Sequence, residues 1–196
     1  MKKYLLASLV AGMFATSAQA GITIPAGEWT VDVNGNVNAF YTNTSATGKG
    51  ATAPSNTIGT GLLPAQLGIG GKSRQNDLDI AWQFSFFTGT STGTNKANAM
   101  NSINVRQAYL SFGDQSWGSI KMGRDLGVFG SDAILSDMTL LGVGTAAGAG
   151  GNSTLGRIGS GYMYADWVGQ IQYQSPNFNG FQFDARYVKL SPEGAA

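Results

Sequence analysis

The side chains that could do chemistry in this chain are charged and amide groups, because the sequence contains no cysteine and no histidine. Without cysteine there is no disulfide framework, and without either residue type there is no zinc site of the usual ligand classes. Without histidine a Ser/His dyad is impossible, and no imidazole can act as a general base. We therefore expect no enzyme, no catalytic residues and no cofactor. Charged side chains on a surface can still attract or repel ions and polar solutes.

The segments that carry these side chains alternate apolar and polar residues with period two, which predicts β-strands. The sharpest alternation runs from Leu78 to Phe86, where Leu, Ile, Trp and Phe occupy every second position. Similar or weaker patterns predict strands at 29–41, 63–72, 104–112, 119–124, the ten or so residues that end at 174, and 181–190. Between these about seven strands, short polar turns alternate with long Gly, Ser, Thr and Asn-rich connections at 42–61, 88–102 and 126–161.

The first 20 residues have the composition of a bacterial secretory signal. Lys2 and Lys3 precede an apolar stretch from Tyr4 to Phe14, and small residues follow up to Ala20. That stretch is too short to span about 30 Å of hydrocarbon as a helix, so we predict cleavage after Ala20 rather than an anchor. Without the two lysines, 10 basic residues stand against 11 acidic ones. The resulting charge of −1 gives no basic surface for a nucleic acid.

Glycine makes up 29 of the 196 residues and charged residues only 12%, about twice and about half of the usual shares. The mature sequence contains no apolar run of about 18 residues, which excludes a helical membrane protein. Low charge suits strands that present apolar side chains to lipid and polar ones to a water-filled interior. A soluble β-sandwich also alternates, but nothing in that fold calls for so few charges. We predict an all-β fold, a transmembrane antiparallel β-barrel.

The segment NVRQAYLSFGDQSWGSIKMGRD, from Asn104 to Asp125, resembles the general diffusion porins of Gram-negative bacteria, where strand, short turn and strand lead into a constriction loop. The resemblance extends to VDVNGNVNAFY, LPAQLGIGGKSRQNDLDIAWQFSF and QYQSPNFNGFQFDARY, and so covers nearly all of the mature chain. It implies a homotrimer of barrels with about 16 strands, each with a loop folded inward after its fifth strand. Residues 21–196 would form the N-terminal part of that barrel, with the inward loop at about 126–161. Because a barrel in lipid must close, about seven strands indicate a fragment.

The resemblance further implies a constriction in which acidic residues of the loop face basic residues of the barrel wall. Asp137 matches the loop aspartate, whereas Leu141 stands where a second acidic residue is expected, with Asp132 as a substitute. Arg106 matches one wall arginine, and Arg157 matches another if it lies on the wall rather than in the loop.

Three other basic positions of the better-known porins are amides here, namely Asn36, Gln66 and Asn104. This departure predicts a weaker field across the pore and a less decided ion preference. Lys121 points inward by alternation and is a secondary pore candidate. Arg124 then points outward, where we expect it at the trimer contact.

The function that these features predict is an outer-membrane channel for passive diffusion of small hydrophilic solutes and ions. The alternative is a non-channel outer-membrane barrel, adhesin-like or structural. A narrow barrel fills its interior with side chains and has no use for a long inward loop. The Gly-rich segment 126–161 therefore favours the channel.

Overall fold

The chain forms ten strands and one short helix in the computed structural model, which describes residues 21–44, 55–60, 63–90, 103–138, 140, 142 and 161–188. In chain order the elements are β1 (Ile22–Ala26), β2 (Trp29–Asn36), β3 (Phe40–Thr44), β4 (Ser55–Gly59), β5 (Ala65–Gln75), β6 (Leu78–Thr88), β7 (Asn104–Asp114), β8 (Gly118–Leu126), α1 (Ser131–Leu135), β9 (Trp167–Gln174) and β10 (Asp184–Tyr187). Eight strands make one sheet in the order β1-β2-β5-β6-β7-β8-β9-β10, and β3 pairs with β4 in a separate hairpin. All the pairings are antiparallel.

The sheet is inside-out when compared with a soluble protein. Its apolar face is exposed: the side chains of Phe84 and Leu110 are 45% and 47% accessible. Its polar face is covered, with Gln83 and Gln172 each only 4% exposed. Hydrophobic side chains of a soluble domain collect in the core and leave amides at the surface. The apolar residues of the alternation therefore lie on the exposed face of the sheet, and the polar residues lie on the buried face.

Glycine on the polar face lets amide side chains lie flat on the sheet. Gly70 lies opposite Gln83 in the β5–β6 ladder, and a Cβ atom at Gly70 would collide with the Gln83 side-chain oxygen. Gln83 Nε2 donates a hydrogen bond of 2.9 Å to the Phe84 carbonyl oxygen. The glycine-rich stretch of β5 thus leaves room for this polar layer.

The two ends of the sheet differ in the length of their connections. At one end lie the short turns at 27–28, 76–77 and 115–117 and the somewhat longer one at 175–183. At the other end lie the connections 37–64, which contains β3 and β4, 89–103 and 127–166, which contains α1. This asymmetry agrees with the one predicted from the sequence.

Seven of the eight sheet strands correspond to predicted ones, and the antiparallel all-β class is confirmed. β1 was not predicted, and the segment 42–61 contains a hairpin where a loop was expected. The first predicted strand is split, because β2 ends at Asn36 and β3 begins at Phe40. The turn expected at 73–76 lies at Asn76 and Asp77, both with positive φ, because pairing with β6 extends β5 to Gln75.

The sheet is open in the part of the chain that the structure describes. β1 has only β2 as a neighbour there, and β10 has only β9. Each outer edge therefore carries backbone N–H and C=O groups available for another strand. No helix in the described ranges has the length and apolarity needed to cross a membrane.

Candidate functional site

Three of the predicted pore positions form one row across four strands of the sheet. Asn36 of β2 lies opposite Gln66 of β5, Gln66 lies opposite Phe87 of β6, and Phe87 lies opposite Asn104 of β7. The row belongs to the polar face, at the end of the sheet that carries the long connections. Phe87, which is only 5% exposed, is an aromatic member that sequence analysis did not predict.

Arg106 lies at a β-bulge beside this row. The β6–β7 register shifts between Ser85, which faces Gln107, and Phe86, which faces Val105, so that Arg106 is the extra residue. Its guanidinium carbon lies 4.3 Å from the centre of the Phe87 ring.

The same guanidinium carbon lies 5.9 Å from the Trp167 ring centre, and the Phe87 and Trp167 rings are 6.1 Å apart. Arg106 is thus held by aromatic faces. Tyr164 belongs to the same surroundings: desolvation of its hydroxyl raises its pKa, and the positive charge of Arg106 opposes that shift. Within the described residues Arg106 makes no ion pair.

Lys121, the secondary pore candidate, is paired with a carboxylate. Its Nζ atom lies 2.6 Å from Oδ2 of Asp125, and the two side chains are 13% and 3% exposed. The other Asp125 oxygen accepts a hydrogen bond of 2.9 Å from Gln107 Nε2. The ammonium also lies 5.0 Å from the centre of the Tyr109 ring. The four residues form a closed polar cluster on β7 and β8.

The loop after β8 begins with α1 and an apolar contact. Ile134 and Leu140 are buried together, and Leu63, Leu126 and Tyr162 pack against them. Leu126 ends β8, whereas Leu63 precedes β5, which is three strands away in the sheet. Because neighbouring strands lie about 4.8 Å apart, these contacts extend over about 14 Å.

Both acidic candidates of the loop lie in this segment. Asp137 follows α1, and its Oδ2 accepts a hydrogen bond of 2.7 Å from the Tyr162 hydroxyl. Asp132 lies in the first turn of α1 and is exposed. Gly127 N donates to the Asp166 carbonyl oxygen at 2.8 Å and closes the base of the loop. The described residues contain no group of three or more Asp or Glu side chains that could hold a metal ion.

Residues 6–194 match the family model described as Gram-negative porin. The chain belongs to the Gram-negative porin family. No curated protein matches the chain. Family membership together with the inside-out sheet makes this an outer-membrane protein with transmembrane β-strands that serves in transport. The apolar face of the porin sheet is exposed, as expected for strands that present apolar side chains to lipid.

The remaining predicted residues of the porin are Arg124 and Arg157. Arg124 in β8 lies opposite Ala108 and Gly169, and its side chain is exposed next to the apolar face that carries Met122. Arg157 lies outside the described residues, as do the predicted signal peptide and much of the predicted inward loop.

Three partners of the porin's charged residues were not predicted from the sequence, namely Asp125, Phe87 and Tyr162. Asp125 lies four residues after Lys121 on one strand, and this spacing was the available signal, since it puts both on the same face. Phe87 breaks the alternation of β6 by placing a second aromatic residue directly after Phe86. For Tyr162, which is 25 residues from Asp137, no local pattern could have shown the contact.

Proposed function

We propose that this porin forms a water-filled channel through which small hydrophilic solutes and ions diffuse passively. The observation that carries the proposal is the sorting of side chains between the two faces of one sheet. The apolar face suits lipid and the amide-rich face suits an aqueous interior. A sheet with one apolar and one amide-rich face is suited to a barrel wall that separates lipid from enclosed water.

Closure of the sheet is part of the proposal. Unpaired backbone groups at the outer edges of β1 and β10 would be very unfavourable in hydrocarbon, where no water can bond them. We propose that further strands of the complete polypeptide pair with both edges to give a barrel of about 16 strands. Residues 1–20 would direct export and be removed.

A loop turned into the channel is supported by the uneven burial across the polar face. Lys72 of β5 and Lys121 of β8 lie in one row of the sheet, through Ala81 and Ser111. The Lys72 side chain is 67% exposed, whereas that of Lys121, on the strand that leads into the loop, is 13% exposed. The contact between Leu63 and the Ile134 cluster supports a loop that crosses from β8 towards β5.

The constriction in this proposal has Asp137 and Asp132 on the loop. On the wall it has Arg106, Arg157 and the amides Asn36, Gln66 and Asn104. Lys121 acts there as one member of its ion pair. We propose a homotrimer with Arg124 near the contact between protomers, since a charged side chain beside the lipid-facing surface is costly unless another subunit covers it.

Planar-bilayer recording of the complete polypeptide tests the channel. Stepwise conductance is expected, whereas a correctly inserted but silent barrel would favour the non-channel alternative. Replacing Asp137→Asn should shift the permeability ratio towards anions, because a negative charge is removed from the narrowest part. Arg106→Gln should shift it in the opposite direction. An unchanged reversal potential for Asp137→Asn would remove that residue from the constriction.

A further inference from the structure

The ion pair of Lys121 and Asp125 differs from the other ion pairs of the described residues in its burial. Its side chains are 13% and 3% exposed, whereas those of the pairs made by Lys72 and Arg74 are 23% to 67% exposed. Buried pairs are screened little by salt. The charge state of this cluster therefore acts on its surroundings more strongly than the open pairs do.

Each charged atom of the cluster is occupied by a group from the same chain. The Lys121 ammonium meets Asp125 Oδ2 at 2.6 Å and faces the Tyr109 ring. Asp125 Oδ1 is held by Gln107 at 2.9 Å. A cation and an anion so close together carry no net charge, and their combined field falls off faster with distance than that of a single charge.

We infer that Asp125 is a selectivity-determining residue, because it masks a cation that would otherwise charge the polar wall of the channel. The inference rests on the proposed channel function. Without Asp125, the positive charge of Lys121 would add to that of Arg106 on the channel wall. Arg106 has no ion-pair partner among the described residues. With Asp125 in place, the wall at β8 is neutral and Arg106 dominates the field there.

The masking role and a purely structural role of the pair make different predictions. If the pair served only to stabilise the fold, its replacement would change stability and leave ion selectivity unchanged. Desolvation offsets much of the Coulomb attraction in a buried pair, so that a neutral replacement of both partners can leave stability unchanged. Loss of one partner, in contrast, leaves an uncompensated charge in the wall. The two single replacements should therefore move ion selectivity in opposite directions, and the double replacement should cancel the effect.

The experiment compares the wild-type porin with Asp125→Asn, Lys121→Gln and the double variant, as complete polypeptides in planar bilayers under a KCl gradient. Asp125→Asn should raise the anion-to-cation permeability ratio about two- to fourfold, the effect of one unit charge about 10 Å from the ion path at low to moderate salt. Lys121→Gln should lower the ratio by a similar factor. The double variant should return to the wild-type ratio.

Asp77→Asn is the matched control. Asp77 lies in the turn between β5 and β6 with a φ of 61°, a conformation that Asn also tolerates, and its ratio should equal that of wild type. If wild-type porin does not conduct, the proposed function is wrong. If it conducts and both single variants keep the wild-type ratio, or shift it in the same direction, the masking role is overturned while the channel stands. If Asp125→Asn does not insert, the other two variants test the masking role. Lys121→Gln should lower the ratio and the double variant should restore it, and any other result overturns the role.

Discussion

Lysine substitution at Leu110 tests which face of the sheet meets lipid. Leu110 is the seventh residue of the 11-residue strand β7, it is 47% exposed, and it lies opposite Trp82 and Met122. Its position near mid-strand places it close to the middle of the hydrocarbon layer. A lysine at that depth on the lipid face of a barrel costs about 2–4 kcal/mol.

The matched control is Ser111→Lys on the same strand. Ser111 lies opposite Ala81 and Lys121 and points to the polar face, where a charge stays in contact with water. Because like charges directly opposite on neighbouring strands repel each other, the Lys121 ammonium adds a cost, and we expect a loss of about 1 kcal/mol there. The difference between the two neighbouring positions should therefore be about 1–3 kcal/mol.

Reversible urea unfolding of the complete polypeptide in lipid vesicles, followed by tryptophan fluorescence, measures both values. Trp82 beside Leu110 reports on this part of the sheet. A third variant, Leu110→Phe, separates lipid from a packed core: a side chain in lipid accepts the larger ring, whereas overpacking a core costs about 1–3 kcal/mol. Equal losses for the two lysine variants, or a loss of that size for Leu110→Phe, would refute the assignment of the faces.

Two further predictions concern the loop and the polar layer. Because the chain lacks cysteine, a single Met138→Cys substitution at a 99% exposed loop position should make the channel sensitive to block by a charged thiol reagent, whereas Leu110→Cys should not; undiminished current through labelled Met138→Cys would place that part of the loop outside the pore. Gly113→Ala should destabilise the porin by about 1–3 kcal/mol in urea unfolding, since its Cβ would meet the Gly118 carbonyl oxygen and the Ser119 backbone, whereas Gly70→Ala should change stability by less than about 1 kcal/mol, because the Gln83 amide that its Cβ meets is the end of a flexible side chain that can turn away; equal losses would contradict this difference.

Local pattern was sufficient to predict most strands of this porin. The period-two alternation from Leu78 to Phe86 needs no knowledge of the neighbouring strands, because side chains of any strand alternate between two faces. β1 was not predicted because it is only five residues long and contains Pro25, and a proline argues against a strand. The hairpin of β3 and β4 escaped because its Thr, Asn and Ser residues are those of a loop.

The sequence by itself determined the residue types, their alternation and hence the two faces of each strand, since these follow from the geometry of a single extended chain. The partners of the charged residues were decided only by the tertiary structure. The row of Asn36, Gln66 and Asn104 exists because of the register between strands. A shift of one residue would turn every side chain to the other face.

Arg106 reaches the Phe87 ring at a bulge that no periodicity indicates. Gln107 and Tyr109 join the Lys121–Asp125 pair because pairing with β7 brings them to the same place on the polar face. Such contacts join residues from separate strands, and their distances depend on pairing, twist and the path of the connecting loop. Alternation along one strand carries no information about any of these.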